Sequence, residues 1–203
     1  MTSNTQALSQ TDNVLPVEEY LAGEQTSEIR HEYVDGKVYA MAGASMNHNR
    51  IANNLVRHLG NQLANQPCEV FSSDMMLKTG KNRYRYPDVM VVCYHTDQNT
   101  TSTDNPVLLV EVLSKGTRQT DRKEKLLEYL QLPSLQEYIL IEQDSVEVEV
   151  LRRSQGWKPE YYYWEDSIHL ESVNITLTVQ ALYERVVNND TLSLLEAQDP
   201  AKA

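Results

Sequence analysis

Long apolar runs are missing from this 203-residue chain. No window approaches the roughly 18 consecutive apolar residues that a membrane-spanning helix needs, which excludes that class. Cysteine is scarce: Cys68 and Cys93 stand far apart and belong to no CxxC pattern. The opening residues MTSNTQALSQTDN lack the basic start and apolar core of a signal peptide. Together these absences lead to the expectation of a cytoplasmic protein in reducing surroundings. Positive charge is also short, with 18 Lys and Arg against 29 Asp and Glu and a formal net charge of −11, so a protein that coats nucleic acid over its whole surface is excluded. There is no internal repeat.

What is present suffices for a core. With 40% hydrophobic and 23% charged residues the composition is that of an ordinary globular domain. A domain of this length buries roughly 70% of the surface its unfolded chain exposes, so neither a disulfide nor a structural metal is required. The polar stretches 1–13 and 188–203 read as tails, leaving 14–187 as a single domain. Charge is unevenly spread along it. Residues 78–125 hold nine Lys and Arg against six acids, a balance of +3, while the rest of the chain stands at −14.

Hydrophobic patterning predicts the order of elements. A short helix runs from Val17 to about Ile29, and HEYVDGKVYAMA is a hairpin turning at Asp35-Gly36. Ile51, Leu55, Leu59 and Leu63 recur at spacing four and mark an amphipathic helix over about 47–66. Extended runs follow at 69–77, 86–94 and 107–113, the last two apolar enough to be central strands covered on both faces. A helix over 117–130, a buried strand at 137–142 and a β-rich end with a short helix near 179–187 complete a mixed α/β domain with helices against a central sheet. The Tyr161–Tyr163 run with Trp157 and Trp164 suits sheet packing or an oligomer interface better than base stacking.

Two acids stand out by position. Asp88 opens the apolar run VMVVCY, and Glu111 lies inside VLLVEVL. An ionised carboxylate in such a strand costs several kcal/mol unless paired, hydrogen-bonded or metal-bound. If the two strands are neighbours, two hard oxygen donors converge, which suits Mg²⁺ or Mn²⁺ completed by waters and a substrate phosphate. The alternative is a buried carboxylate satisfied by an arginine or by backbone N–H groups. His48, in the first turn of the long helix, faces either the same cleft or the core.

The wording YPDVMVV, then PVLLVEVLSKGTRQTDRKEKLLEYL, then a buried strand resembles the restriction endonuclease family called Uma, a branch of the PD-(D/E)XK nuclease superfamily, from about Leu15 to Val187. The resemblance implies a restriction-endonuclease-like αβββαβ core and Mg²⁺-dependent phosphodiester cleavage; DNA as substrate and a homodimer are the accompanying expectations. Asp88 and Glu111 match the superfamily's acidic motifs as metal ligands, with the carbonyl of Val112 as a further oxygen. Glu32 and Asp74 match two further acids of the family pattern. The superfamily's usual strand lysine, two residues after the glutamate, is replaced here by Leu113. Lys125 of the family's EKL wording is the expected substitute, Lys115 its rival, and His48 a helper. Lys78, Lys81, Arg83, Arg85, Lys115, Arg118 and Arg122 are expected to hold the phosphate backbone. The leucine also keeps open a nuclease-fold module that binds nucleic acid or protein without cutting, and a structural dimer whose acids serve only stability.

Overall fold

The computed structural model describes residues 14–94 and 99–197; the N-terminal stretch 1–13 and the last residues of the C-terminal one lie outside them. The strands are β1 (His31–Val34), β2 (Lys37–Ala40), β3 (Cys68–Ser72), β4 (Met76–Gly80), β5 (Arg83–Arg85), β6 (Val89–Cys93), β7 (Ser102–Thr103), β8 (Pro106–Leu113), β9 (Glu137–Glu142), β10 (Val148–Arg152), β11 (Pro159–Tyr162), β12 (Ser167–Leu170) and β13 (Ile175–Thr178). The helices are α1 (Val17–Glu24), α2 (Met46–Leu63), α3 (residues 118–129), α4 (Val179–Leu182) and α5 (Asn189–Ala197).

A six-stranded sheet in the order β11-β10-β9-β8-β6-β3 forms the centre. Its β8–β9 pair is parallel, as a crossover through α3 requires, and its other pairs are antiparallel. A second sheet, ordered β2-β1-β5-β4-β7, stands beside it, and β12 and β13 form a separate hairpin. Alternation along the central strands divides two cores. Val89, Val91, Val110, Val112, Ile139 and Ile141 pack under Ile51, Leu55, Leu59 and Leu63 of α2. Met90, Leu109, Leu113 and Leu140 face the other way, onto Tyr129, Leu132, Leu135 and Tyr138. Each fully buried Leu or Ile of the α2 stripe contributes about 1.5–3 kcal/mol, which is why this predicted helix forms essentially where its periodicity places it.

The hairpin turn needs positive φ at both central residues. Asp35 has φ +49° and Gly36 φ +92°. A Cβ on Gly36 would lie 2.1 Å from Val14 Cγ1, so only glycine fits.

Several sequence expectations change. The first helix ends at Glu24, short of Ile29. The single run 69–77 is two strands in different sheets, β3 and β4, broken by the turn after Ser72. The predicted tail from 188 contains α5, where Thr191 is buried and Asp190 accepts a hydrogen bond from the Val146 N–H at 2.9 Å. Cys68 and Cys93 face each other across β3–β6 and form a disulfide. Disulfides belong as a rule to oxidising surroundings, so the cysteines lend no support to the cytoplasmic expectation. Of the aromatic run, Tyr162 and Trp164 pack against the first core and Trp157 against the second, as sheet packing requires, while Tyr161 on edge strand β11 and Tyr163 just after it are about half exposed. Among the described residues no helix is long and apolar enough to cross a membrane.

Candidate active site

β6 and β8 are neighbours, and their register pairs Val89 with Val110. Asp88 directly precedes Val89 and Glu111 directly follows Val110, so both acids come at the same end of this pair. The two acids are close enough for the Asp88 charge to act on Glu111. Asp88 is held from two directions. Its Oδ2 accepts a hydrogen bond from the Val112 N–H at 2.7 Å and lies 3.2 Å from His48 Nε2. His48 is placed by the start of α2, where Ser45 Oγ accepts from the His48 N–H at 3.1 Å as an N-cap. Such a cap contributes about 1 kcal/mol, and here it also fixes the imidazole's origin.

Glu111 lies on the side of β8 that faces α3 and is 3% exposed. Its Oε1 accepts from Lys125 Nζ at 3.0 Å and from the Tyr129 hydroxyl at 2.7 Å. The same ammonium lies 3.3 Å from Glu32 Oε1 and 3.2 Å from Asp121 Oδ1. Lys125 is therefore a buried cation among three carboxylates. Burial alone would lower its pKa, but Glu111, Glu32 and Asp121 together hold it above the usual lysine range. Burial pushes Glu111 well above the ordinary carboxylate value, and Asp121, Asp88 and Glu32 push the same way against Lys125. Asp121 is raised by its own burial despite Lys125. At Glu32 burial is outweighed by Lys125 and Arg85, and the carboxyl lies below its usual value.

Arg85 is the second cation of this group and corrects the expectation placed on it. It is 3% exposed, and its guanidinium donates to Glu128 at 2.5 and 3.0 Å and to Glu32 at 2.8 Å, so it cannot reach a nucleic-acid backbone. Other expected phosphate contacts are engaged as well. Arg83 donates to Asp35 and Glu128, Arg118 to Glu142, and Arg122 to Glu149 and Glu142. Lys78, Lys81 and Lys115 are exposed. The +3 balance of the segment is thus largely met by acids from elsewhere in the chain. Asp74 is not brought to the centre. Its side chain is 83% exposed and pairs with Arg30 at 3.4 Å.

Asp121 and Tyr129 also meet Lys125 and Glu111, and no motif in the sequence marks either. Both sit on α3 with Lys125, at spacing four, and that spacing was the available signal. Leu113, at the position where the superfamily carries its lysine, is fully buried in the second core. A strand residue two after Glu111 lies on the same face, and here that place is filled by packing.

The arrangement of sheets and crossover helix is a restriction-endonuclease-like nuclease fold. It superposes on the crystal structure of a putative nuclease belonging to DUF820 from Anabaena variabilis, with a TM-score of 0.71 at 20% identity, covering 84% of this chain and 98% of that one. The model of Uma2, described as putative restriction endonuclease, matches residues 17–182. Two proteins of Synechocystis sp. are similar in sequence. The uncharacterized protein slr1290 is 35% identical over 173 residues, 83% of this chain and 91% of its own length. The uncharacterized protein sll1609 is 38% identical over 143 residues, 68% and 81%. The chain belongs to the Uma2 family.

Proposed function

We propose that this chain is a divalent-metal-dependent endonuclease that hydrolyses phosphodiester bonds in DNA. The observation that carries the reading is the meeting of Asp88 and Glu111 on adjacent central strands with the Lys125 ammonium 3.0 Å from Glu111. The donor set fits a hard cation. Glu32, Asp88, Glu111 and Asp121 are all oxygen donors; among the described residues Lys125 lies against three of them, Arg85 against Glu32 and His48 against Asp88. Among the described residues no three or more acids or histidines form a ready-made cage. Mg²⁺ does not ask for one, since it is held by one or two carboxylates with water and substrate phosphate.

Asp88, Glu111 and the Val112 carbonyl would hold Mg²⁺ or Mn²⁺. When bound, the cation acidifies a water and polarises the scissile phosphate. Lys125 offsets the negative charge that grows on the phosphate oxygens in the transition state. Glu32 and Asp121 keep that ammonium charged and aimed, and His48 steadies Asp88 from the α2 side. Lys78, Lys81 and Lys115 are left to meet the backbone of the substrate, a contact that supplies affinity without reading sequence.

The test is incubation of plasmid and branched DNA with Mg²⁺ or Mn²⁺ and with a chelator. Nicking that requires the metal and disappears in Glu111→Ala supports the reading. Cleavage that survives chelation, or survives in both Asp88→Ala and Glu111→Ala, overturns it. A second reading, a nuclease-fold module that binds without cutting, is favoured by the engagement of Arg83, Arg85, Arg118 and Arg122 in internal ion pairs. DNA binding without turnover in any divalent metal would select it.

A further inference from the structure

We propose that Tyr129 is a positioning residue for Glu111, placed there by a π turn in α3, and that it sets which carboxylate oxygen a bound cation meets. The inference rests on the nuclease reading above and deepens it.

Both hydrogen bonds that Glu111 accepts among the described residues land on Oε1, one from Lys125 and one from the Tyr129 hydroxyl. Two donors from one helix converging on one oxygen fix the rotation of the carboxyl group. Oε2 is left to a ligand. A lysine alone could not do this, because its long stem swings and its ammonium is also drawn toward Glu32 and Asp121. A phenol has two rotatable angles and one donor. The Tyr129 ring is fully buried and stands edge-on to Tyr138, with centroids 5.2 Å apart at 87°. Tyr138 in turn donates to the Asp121 carbonyl at 3.2 Å, tying the start of the π turn to β9.

The helix geometry explains why three residues can share one target. In a regular α-helix, eight residues advance by about 80° beyond two full turns, so positions 121 and 129 would drift apart around the axis. Residues Asp121–Lys125 form a π turn, and Leu126–Tyr129 resume the α-helix. The wider turn winds fewer degrees per residue and takes back part of that drift. Asp121, Lys125 and Tyr129 therefore form one stripe over Glu111.

The experiment compares Mn²⁺ binding, by calorimetry and by Mn²⁺ electron paramagnetic resonance, in the full-length wild type, Tyr129→Phe and Tyr183→Phe, alongside urea unfolding of each. Tyr183→Phe is the matched control. It also loses a buried phenol's hydrogen bonds, one donated to the Glu142 carbonyl at 2.7 Å and one accepted from the Glu147 N–H at 3.1 Å, but it lies outside the site. Phenylalanine keeps each ring and its packing. The expected result is a Mn²⁺ affinity lowered about 10-fold or more in Tyr129→Phe, the usual effect of losing a partner that orients a metal ligand. Tyr183→Phe should stay within about twofold of wild type. Equal affinities for wild type and Tyr129→Phe, or equal losses in both variants, overturn the inference and leave Tyr129 a core residue. Failure of the wild type itself to bind Mn²⁺ overturns the nuclease reading and this inference with it.

Discussion

The Lys125 ammonium lies 3.0 Å from Glu111 Oε1, although the two residues come from different elements and are separated by the whole turn between β8 and α3. On the proposed reading, the crossover helix supplies the cation that the superfamily usually carries on the strand. Lys125→Ala should accordingly lower the single-turnover cleavage rate by about 10²-fold or more, because the charge it offsets exists chiefly in the transition state. Lys115→Ala and Lys123→Ala, at exposed positions, should change the rate far less. Normal cutting by Lys125→Ala with loss in Lys115→Ala would move the role to the loop after β8.

Leu113 makes the complementary prediction. Its side chain is fully buried among Leu109, Tyr129, Leu132 and Leu140. Leu113→Lys would place an ammonium in that apolar cluster and should destabilise the fold by several kcal/mol in chemical denaturation. Combining it with Lys125→Ala should not restore cleavage. Recovery of activity in the double variant would show that the strand position can still serve, and that helix and strand lysines are interchangeable.

The parts of this architecture that follow from local pattern were legible in the chain. The α2 stripe, the hairpin at Asp35-Gly36 and the apolar strands around Asp88 and Glu111 each carry their own periodicity or turn chemistry. What was not legible depends on pairings made across the fold. Arg85 reads as one more base in a basic segment until β1 and α3 bring Glu32 and Glu128 against it. Asp74 fits a motif position but ends on an exposed turn, and no local feature of residues 69–77 announces that one run serves two sheets. The π turn is equally silent, because it appears only when a helix is fitted against a particular strand.

Arg85 therefore carries a stability prediction in place of a binding one. Arg85→Met would leave the buried Glu128 carboxylate without its closest buried cation and remove one of the two cations that hold the half-buried Glu32. Removing one side of such a buried pair should cost about 3–5 kcal/mol in urea unfolding. The exposed lysines should behave in the opposite way. Lys78→Ala with Lys81→Ala should leave the unfolding midpoint nearly unchanged and lower the slope of DNA affinity against salt by about one per lost phosphate contact. A salt slope that responds to neither substitution would place the nucleic-acid surface elsewhere.

Metal linkage offers the last test, and it needs no substrate. Asp88, Glu111 and Asp121 are crowded at one end of the central strands, where burial first and then repulsion from Asp121, Asp88 and Glu32 disfavour a charged Glu111 in the folded state. A divalent cation that binds the folded chain relieves that repulsion and stabilises it by mass action, about 2.7 kcal/mol at a free concentration 100 times Kd. Thermal unfolding should therefore shift upward as Mn²⁺ is raised, and the shift should reverse on adding a chelator. Glu111→Gln removes one ligand charge while keeping the side chain's shape, so its unfolding temperature should respond to Mn²⁺ far less than that of wild type. Asp88→Asn should show the same loss of response from the neighbouring strand. If both variants gain as much from Mn²⁺ as the wild type does, the cation binds elsewhere on this acidic chain, and Asp88 and Glu111 are not its ligands.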